Sequence, residues 1–135
     1  QRRDYTPRSF DTEGRRLTVD FALHEAGAAT SWARQARTGD TLRIGGPRGS
    51  MVIADDFDWH LLVGDASAMP AIARRVEELP ANCRIAVITT VAAADYPIPA
   101  HPGLYSQHAD NDAQLLTLLS QLTLPSGDGF CLGCR

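Results

Sequence analysis

Residues 61–79, LLVGDASAMPAIARRVEEL, constrain the fold of this chain more than any other stretch. The apolar run Leu61, Leu62, Val63 reads as a strand, and Gly64 and Asp65 end it. Met69, Ile72, Ala73, Val76 and Leu79 then recur at helical spacing. Ser67 is the expected cap, and Pro70 falls in the first turn, where a missing N–H costs nothing. A continuous apolar strand belongs in a buried parallel sheet. A ligand at its carboxyl end would face Gly64 and the free N–H groups of the helix start. The alternative is a plain structural strand–helix unit.

Upstream, the periodicity is that of strands. Leu17, Val19, Phe21 and Leu23 alternate with Thr18, Asp20 and Ala22, which predicts a strand with one apolar face. A turn over residues 11–14 would pair it with residues 5–10. A short helix is expected with Ala29, Trp32, Ala33 and Ala36 on one face, capped by Thr30 or Ser31. Gly39 and Asp40 turn into a strand over 41–44, and the glycine-rich connector 45–49 leads to another over 50–53. The acidic loop around Asp55, Asp56 and Asp58 marks a boundary, dividing the chain into residues 1–57 and 58–135. Beyond the central unit, strands are expected over 84–90, 104–108 and from 130, with a helix over 110–122. The sum is an all-β start and an α/β end.

The chemistry-bearing clusters are few. Arg3 and Tyr5 fall on one side of a strand, with Thr6 on the other and Arg8 nearby. A tyrosine there can lie against a flat ring, and the arginines can fork onto phosphate; an ordinary edge strand is the alternative. The segment 27–32 could place helix N–H groups on a pyrophosphate, or be simple capping, with Trp32 a core residue. Residues 45–50, GGPRGS, lack the lysine of a triphosphate loop. Cys131 and Cys134 have redox or metal spacing but no second pair, and His24, His60, His101 and His108 have no ligand spacing. Thirteen basic and sixteen acidic side chains give a net charge of -3, no electrostatic case for nucleic acid. No stretch reaches the apolar length of a membrane span. The residues at the start show no signal-peptide pattern, and three cysteines make no disulfide framework, so a reducing, cytoplasmic setting is expected.

Taken in order, these stretches resemble the siderophore-interacting proteins, flavin-dependent ferric-siderophore reductases related to ferredoxin reductases. The resemblance rests on Arg3-x-Tyr5-Thr6, the run from Val19 through Asp20 to His24, and Gly27, Ala29 and Trp32. It continues through Gly39-Asp40, Gly46-Pro47-Arg48-Gly49-Ser50, Gly64-Asp65, Ala68, Pro70-Ala71-Ile72 and Arg74-Arg75. It implies an incomplete flavin-binding β-barrel followed by an incomplete three-layer α/β nucleotide-binding domain. It also implies FAD as cofactor, NADPH or NADH as reductant and a ferric siderophore as substrate. Arg3, Tyr5 and Thr6 match the motif for the flavin ring and phosphates. Asp20, His24, Gly27, Ala29, Thr30, Ser31 and Trp32 match the adenine and pyrophosphate end, and Ser50 falls in the glycine-rich match. Gly64 and Asp65 match the first turn of the nucleotide domain, while Arg74 matches by position only. By resemblance, hydride passes from nicotinamide to flavin N5 and single electrons pass on to iron, which the chelator then holds less tightly.

The family carries further barrel strands before Arg3 and further chain after Phe130. The sequence therefore reads as a fragment, a homodimer completing its sheet through open edges, or a degraded relative. A non-catalytic flavin- or siderophore-binding module is the alternative function.

Overall fold

The computed structural model describes residues 3–23, 27–46, 49 and 52–134. His24 and Ser50, both candidate site residues, lie outside them, as do Pro47 and Arg48.

The chain from residue 59 onward builds a four-stranded parallel sheet. Its strands are β3 (Trp59–Gly64), β4 (Arg84–Thr89), β5 (Leu104–His108) and β6 (Gly129–Cys134), in the spatial order β5-β4-β3-β6. β3 lies between β4 and β6, with Leu62 opposite Val87 on one side and Leu132 on the other. Its unbroken apolar run fits a strand covered on both faces: Leu61 and Leu62, which point to opposite faces, are both buried. Parallel neighbours need crossovers, and helix α2 (Met69–Glu78) connects β3 to β4.

α2 forms because its interior is alanine, arginine and glutamate around an apolar stripe. That stripe buries Met69, Ile72, Ala73 and Val76 against Leu62, Ile85 and Val87. Each large side chain withdrawn from water contributes about 1.5–3 kcal/mol. Pro70 sits at the helix start as expected. Ser67 does not cap it: Ala68 holds the cap position without a side-chain bond. Ser67 is turned back instead, its N–H and hydroxyl both donating to Asp65 Oδ1 at 2.8 and 2.6 Å. An aspartate two residues upstream outcompetes the helix for the serine.

The connection from β4 to β5 carries no helix, but Val91, Tyr96 and Ile98 pack it onto the same core. Helix α3 (Asp112–Gln121) returns the chain from β5 to β6, capped by Asn111, whose side chain accepts from Gln114 N at 2.9 Å. No residue of α3 is fully buried, and Leu116 is exposed. The leucines expected to face a core, Leu115, Leu118, Leu119 and Leu122, are only half covered.

The N-terminal stretch departs from expectation. A two-stranded antiparallel hairpin, β1 (Ser9–Asp11) and β2 (Arg16–Thr18), is followed by helix α1 (Ala28–Gln35). The alternation through Leu23 was expected to be strand throughout, with residues 5–10 as its partner. Only three residues of each pair, because β1 is itself three residues long and alternation alone supplies no hydrogen-bonding neighbour. Residues 41–44 and 52–53, expected as strands, have no regular structure, and Leu42, Ile44 and Val52 are exposed. Among the described residues, no closed barrel forms. α1 is capped at Gly27 by backbone alone, not by Thr30 or Ser31; Thr30 lies inside the helix and is buried.

Candidate functional site

Two stretches expected to bind cofactor can be described in atomic detail. In the first, Tyr5 rests on Phe21 with ring centroids 4.8 Å apart, and Phe21 rests on Trp32 at 5.7 Å. Tyr5 keeps 42% of its surface exposed, so one part of the ring is backed and the rest is open. Trp32 is half buried in this row, nearer the core reading than a free stacking platform. Arg3 is exposed and Thr6 half buried. α1 begins at Gly27, whose φ of 149° suits glycine, and no side chain caps the first turn. Ala29 is half buried there and Ser31 exposed.

The second stretch is the carboxyl end of β3. Gly64 is buried, and its carbonyl accepts from Thr90 N at 3.2 Å. Asp65 shapes the turn into α2, with its carbonyl taking Ala68 N at 3.0 Å and its carboxylate engaging Ser67. Successive strands step away from β3 on one side through β4 and β5, then the chain returns to place β6 on the other. The carboxyl ends of β3 and β6 therefore flank the point where strand order reverses, the usual ligand crevice of an open α/β sheet. Thr89, at the end of β4, is buried and its hydroxyl donates to Val91 O at 2.9 Å.

Two expected cofactor residues have protein partners. Asp20 accepts a 2.5 Å bond from the Tyr96 hydroxyl on the β4–β5 connection. Arg74 donates to Glu78 at 2.7 Å and to the Pro7 carbonyl at 3.2 Å. Its neighbour Arg75 donates to the Ala54 carbonyl and Asp55, both at 3.0 Å, and to His60 Nε2 at 3.1 Å. Arg8, one of the arginines with the chemistry to pair with phosphate, forks onto both oxygens of Glu77 at 2.6 Å. This pairing holds the Arg8 guanidinium above its usual range and Glu77 below the usual carboxylate range. Sequence reasoning missed Glu77 and Tyr96 as partners of the N-terminal segment; their long separation from Arg8 and Asp20 leaves no local signal.

The family description "Siderophore-interacting protein" matches residues 57–132, and "Siderophore-interacting FAD-binding domain" matches residues 1–51. The chain belongs to the siderophore-interacting protein family. Its similarity to an Escherichia coli relative, "NADPH-dependent ferric-chelate reductase", is 38% identity over 136 residues, covering 95% of this chain and 52% of the relative. Ferric vibriobactin reductase ViuB of Vibrio cholerae is 36% identical over 83 residues, covering 61% of this chain and 31% of that protein. A siderophore utilization protein from T. fusca superposes with a TM-score of 0.82 at 36% identity, covering 97% of this chain and 53% of that one. The siderophore-interacting protein SipS from Aeromonas hydrophila gives 0.78 at 28%, covering 96% and 57%. The chain thus spans about half the length of the relatives it matches along its whole extent. Among the described residues, no helix is long and apolar enough to cross a membrane.

Proposed function

We propose that this chain takes part in flavin-dependent reduction of ferric siderophores, with FAD as cofactor and NADPH or NADH as reductant. One observation carries the reading: an open, ring-backed Tyr5 and an α1 start without a side-chain cap belong to the same N-terminal segment. A flat ring fits the first, and a pyrophosphate fits the second. The E. coli relative's description, an NADPH-dependent ferric-chelate reductase, supports the choice of reductant and substrate class.

In this reading residues 1–57 form part of a flavin unit and residues 58–135 part of a nucleotide unit. Arg3 and Thr6 hold the flavin phosphates and ring edge beside Tyr5. The free first-turn N–H groups around Ala29 and Thr30 receive the pyrophosphate beside the exposed Ser31 side chain, whose own N–H is bonded to Gly27 O at 2.9 Å, and Gly27 lets it approach. His24 and Ser50 complete the flavin contacts. Gly64 and Asp65 admit the nicotinamide nucleotide at the end of β3. When bound, the flavin accepts a hydride from the reduced nicotinamide and delivers electrons singly to chelated ferric iron. The siderophore is substrate, so no protein ligand to iron is required.

Titration of the purified chain with FAD, followed by anaerobic addition of NADPH, tests the reading. Saturable binding with bleaching of flavin absorbance supports it. Binding without bleaching would make the chain a flavin-holding module, and no binding would overturn the reading.

A further inference from the structure

Four polar side chains far apart in sequence form one chain of contacts between the two halves. Glu77 of α2 takes both forks of Arg8, Arg8 also lies against the Tyr96 hydroxyl, and Tyr96 bonds Asp20. The halves alternate: Arg8 and Asp20 come from the N-terminal segment, Glu77 and Tyr96 from the sheet half. Arg74 adds a bond to the carbonyl of Pro7, the residue before Arg8.

Both N-terminal members of this cluster, Arg8 and Asp20, lead to Tyr5. Arg8 is three residues along the chain from Tyr5, just before β1, at most about 10 Å of chain. Pro7 stiffens that interval by fixing its own φ and biasing Thr6 toward extension. The Arg8 N–H is held as well, donating to Thr18 O at 2.8 Å. From the other end, Asp20 precedes Phe21, the ring on which Tyr5 rests. The Arg8 side chain is only 18% exposed, so its charge is partly withdrawn from water and the fork is stronger than a free surface pair.

We propose that Arg8, Glu77, Tyr96 and Asp20 act as a positioning clasp. It sets the Tyr5–Thr6 segment in register with the sheet half, and so fixes the distance between a flavin held on Tyr5 and a nicotinamide at Gly64. This rests on the reading of Tyr5 as the flavin platform. None of the four residues touches the reacting atoms, and their effect is on the rate of hydride transfer from nicotinamide to flavin rather than on either binding step. The Glu77→Gln change keeps the shape of the side chain and removes its charge, and Tyr96→Phe removes only the hydroxyl.

The test uses the chain with and without FAD. In both states, hydrogen exchange of amides in residues 5–10 is expected to quicken at least tenfold in Glu77→Gln. With FAD bound and NADPH saturating, the single-turnover bleaching rate should fall about tenfold in Glu77→Gln and Tyr96→Phe, while the FAD dissociation constant changes less than threefold. The double change Arg8→Glu with Glu77→Arg should restore both protection and rate. Unchanged exchange in Glu77→Gln would overturn the clasp, and so would a lowered melting temperature with an unaltered bleaching rate. A wild-type chain that binds no FAD would defeat the functional reading; the exchange comparison would still decide whether the clasp exists.

Discussion

The Arg75 guanidinium donates to Nε2 of His60 at 3.1 Å, on a ring with no solvent exposure. An arginine can only donate, so Nε2 must accept and the ring proton sits on Nδ1. Nδ1 lies 3.2 Å from the Cys83 sulfur, which completes the polar partners of the ring. The same guanidinium holds Ala54 and Asp55, so the segment joining the two halves is tied to the sheet through a neutral histidine.

Stability should therefore fall as His60 is driven to take a proton. Burial, then the Arg75 charge, lowers its pKa from the ordinary 6.5, against a smaller opposing pull from Asp55. In the window below 6.5 and above the lowered value, the unfolded chain binds a proton that the folded chain refuses, so stability drops as pH falls. Above 6.5 the contribution is constant. Melting temperatures from pH 7.5 to 5.5 are expected to decline in the wild type and to flatten in His60→Gln. Parallel curves would remove His60 as the cause.

Arg75 should matter more for folding than Arg74. The Arg75 side chain is 11% exposed and its Nε is buried without a partner among the described residues, so its bonds are made out of water. Arg75→Met retains the stem and loses the charged bonds, at a cost of about 1.5–3 kcal/mol. Arg74 is 43% exposed and its pairing with Glu78 is one helical turn long, so Arg74→Met should cost under about 1 kcal/mol. Urea unfolding of both variants gives the comparison, and equal losses would contradict it.

Gly103 should resist substitution where Gly133 does not. A Cβ on Gly103 would land on the backbone carbonyl of Cys83, which cannot swing aside because Ile85 N is bonded to Gly103 O at 2.9 Å. Gly103→Ala is expected to destabilise by about 1–3 kcal/mol. Gly133 has open space at its Cβ position, and alanine there should be neutral or stabilising by up to about 1 kcal/mol. Thermal melts of the two variants distinguish packing from glycine entropy.

For flavin retention, the informative pair is Tyr5 and Tyr105. Tyr96 is no neutral control, because its hydroxyl is bonded to Asp20. Tyr105 is 54% exposed on edge strand β5, comparable to Tyr5 at 42%. Tyr5→Ala should weaken FAD binding about tenfold or more, the loss of about 1.4 kcal/mol of ring contact. Tyr105→Ala should leave affinity unchanged. Equal affinities in fluorescence titration would remove Tyr5 from the site.

Discrimination between NADPH and NADH should be weak in this chain, below about tenfold or 1.4 kcal/mol. A 2′-phosphate needs a cation near the end of β4, and the segment there, from Ile88 to Asp95, contains none. Arg74 and Arg75 on the adjoining helix are held by protein groups, and the Thr89 hydroxyl is bonded to Val91. Stopped-flow bleaching with each nucleotide measures the ratio. A preference above a hundredfold for NADPH would mean that one of these arginines leaves its partner on binding.

The α/β half was legible in sequence because its signals are local. The apolar run 61–63 and the 3.6-residue stripe of Met69, Ile72 and Val76 each declare an element and its buried face within a few turns. The resemblance to the family was likewise written in short motifs in order. What local pattern could not determine was pairing. Alternation from Leu17 to Leu23 specifies a face, but a strand exists only where another chain segment supplies hydrogen bonds, and here that support ends at Thr18. The roles of the charged residues were beyond sequence for a related reason. Arg8, Arg74 and Asp20 have the chemistry to meet a phosphate or a cofactor hydroxyl, yet their partners Glu77, Pro7 and Tyr96 lie 67 to 76 residues away. Charge states what a side chain can bind; only the folded chain brings a partner within hydrogen-bonding distance and decides which bond is made.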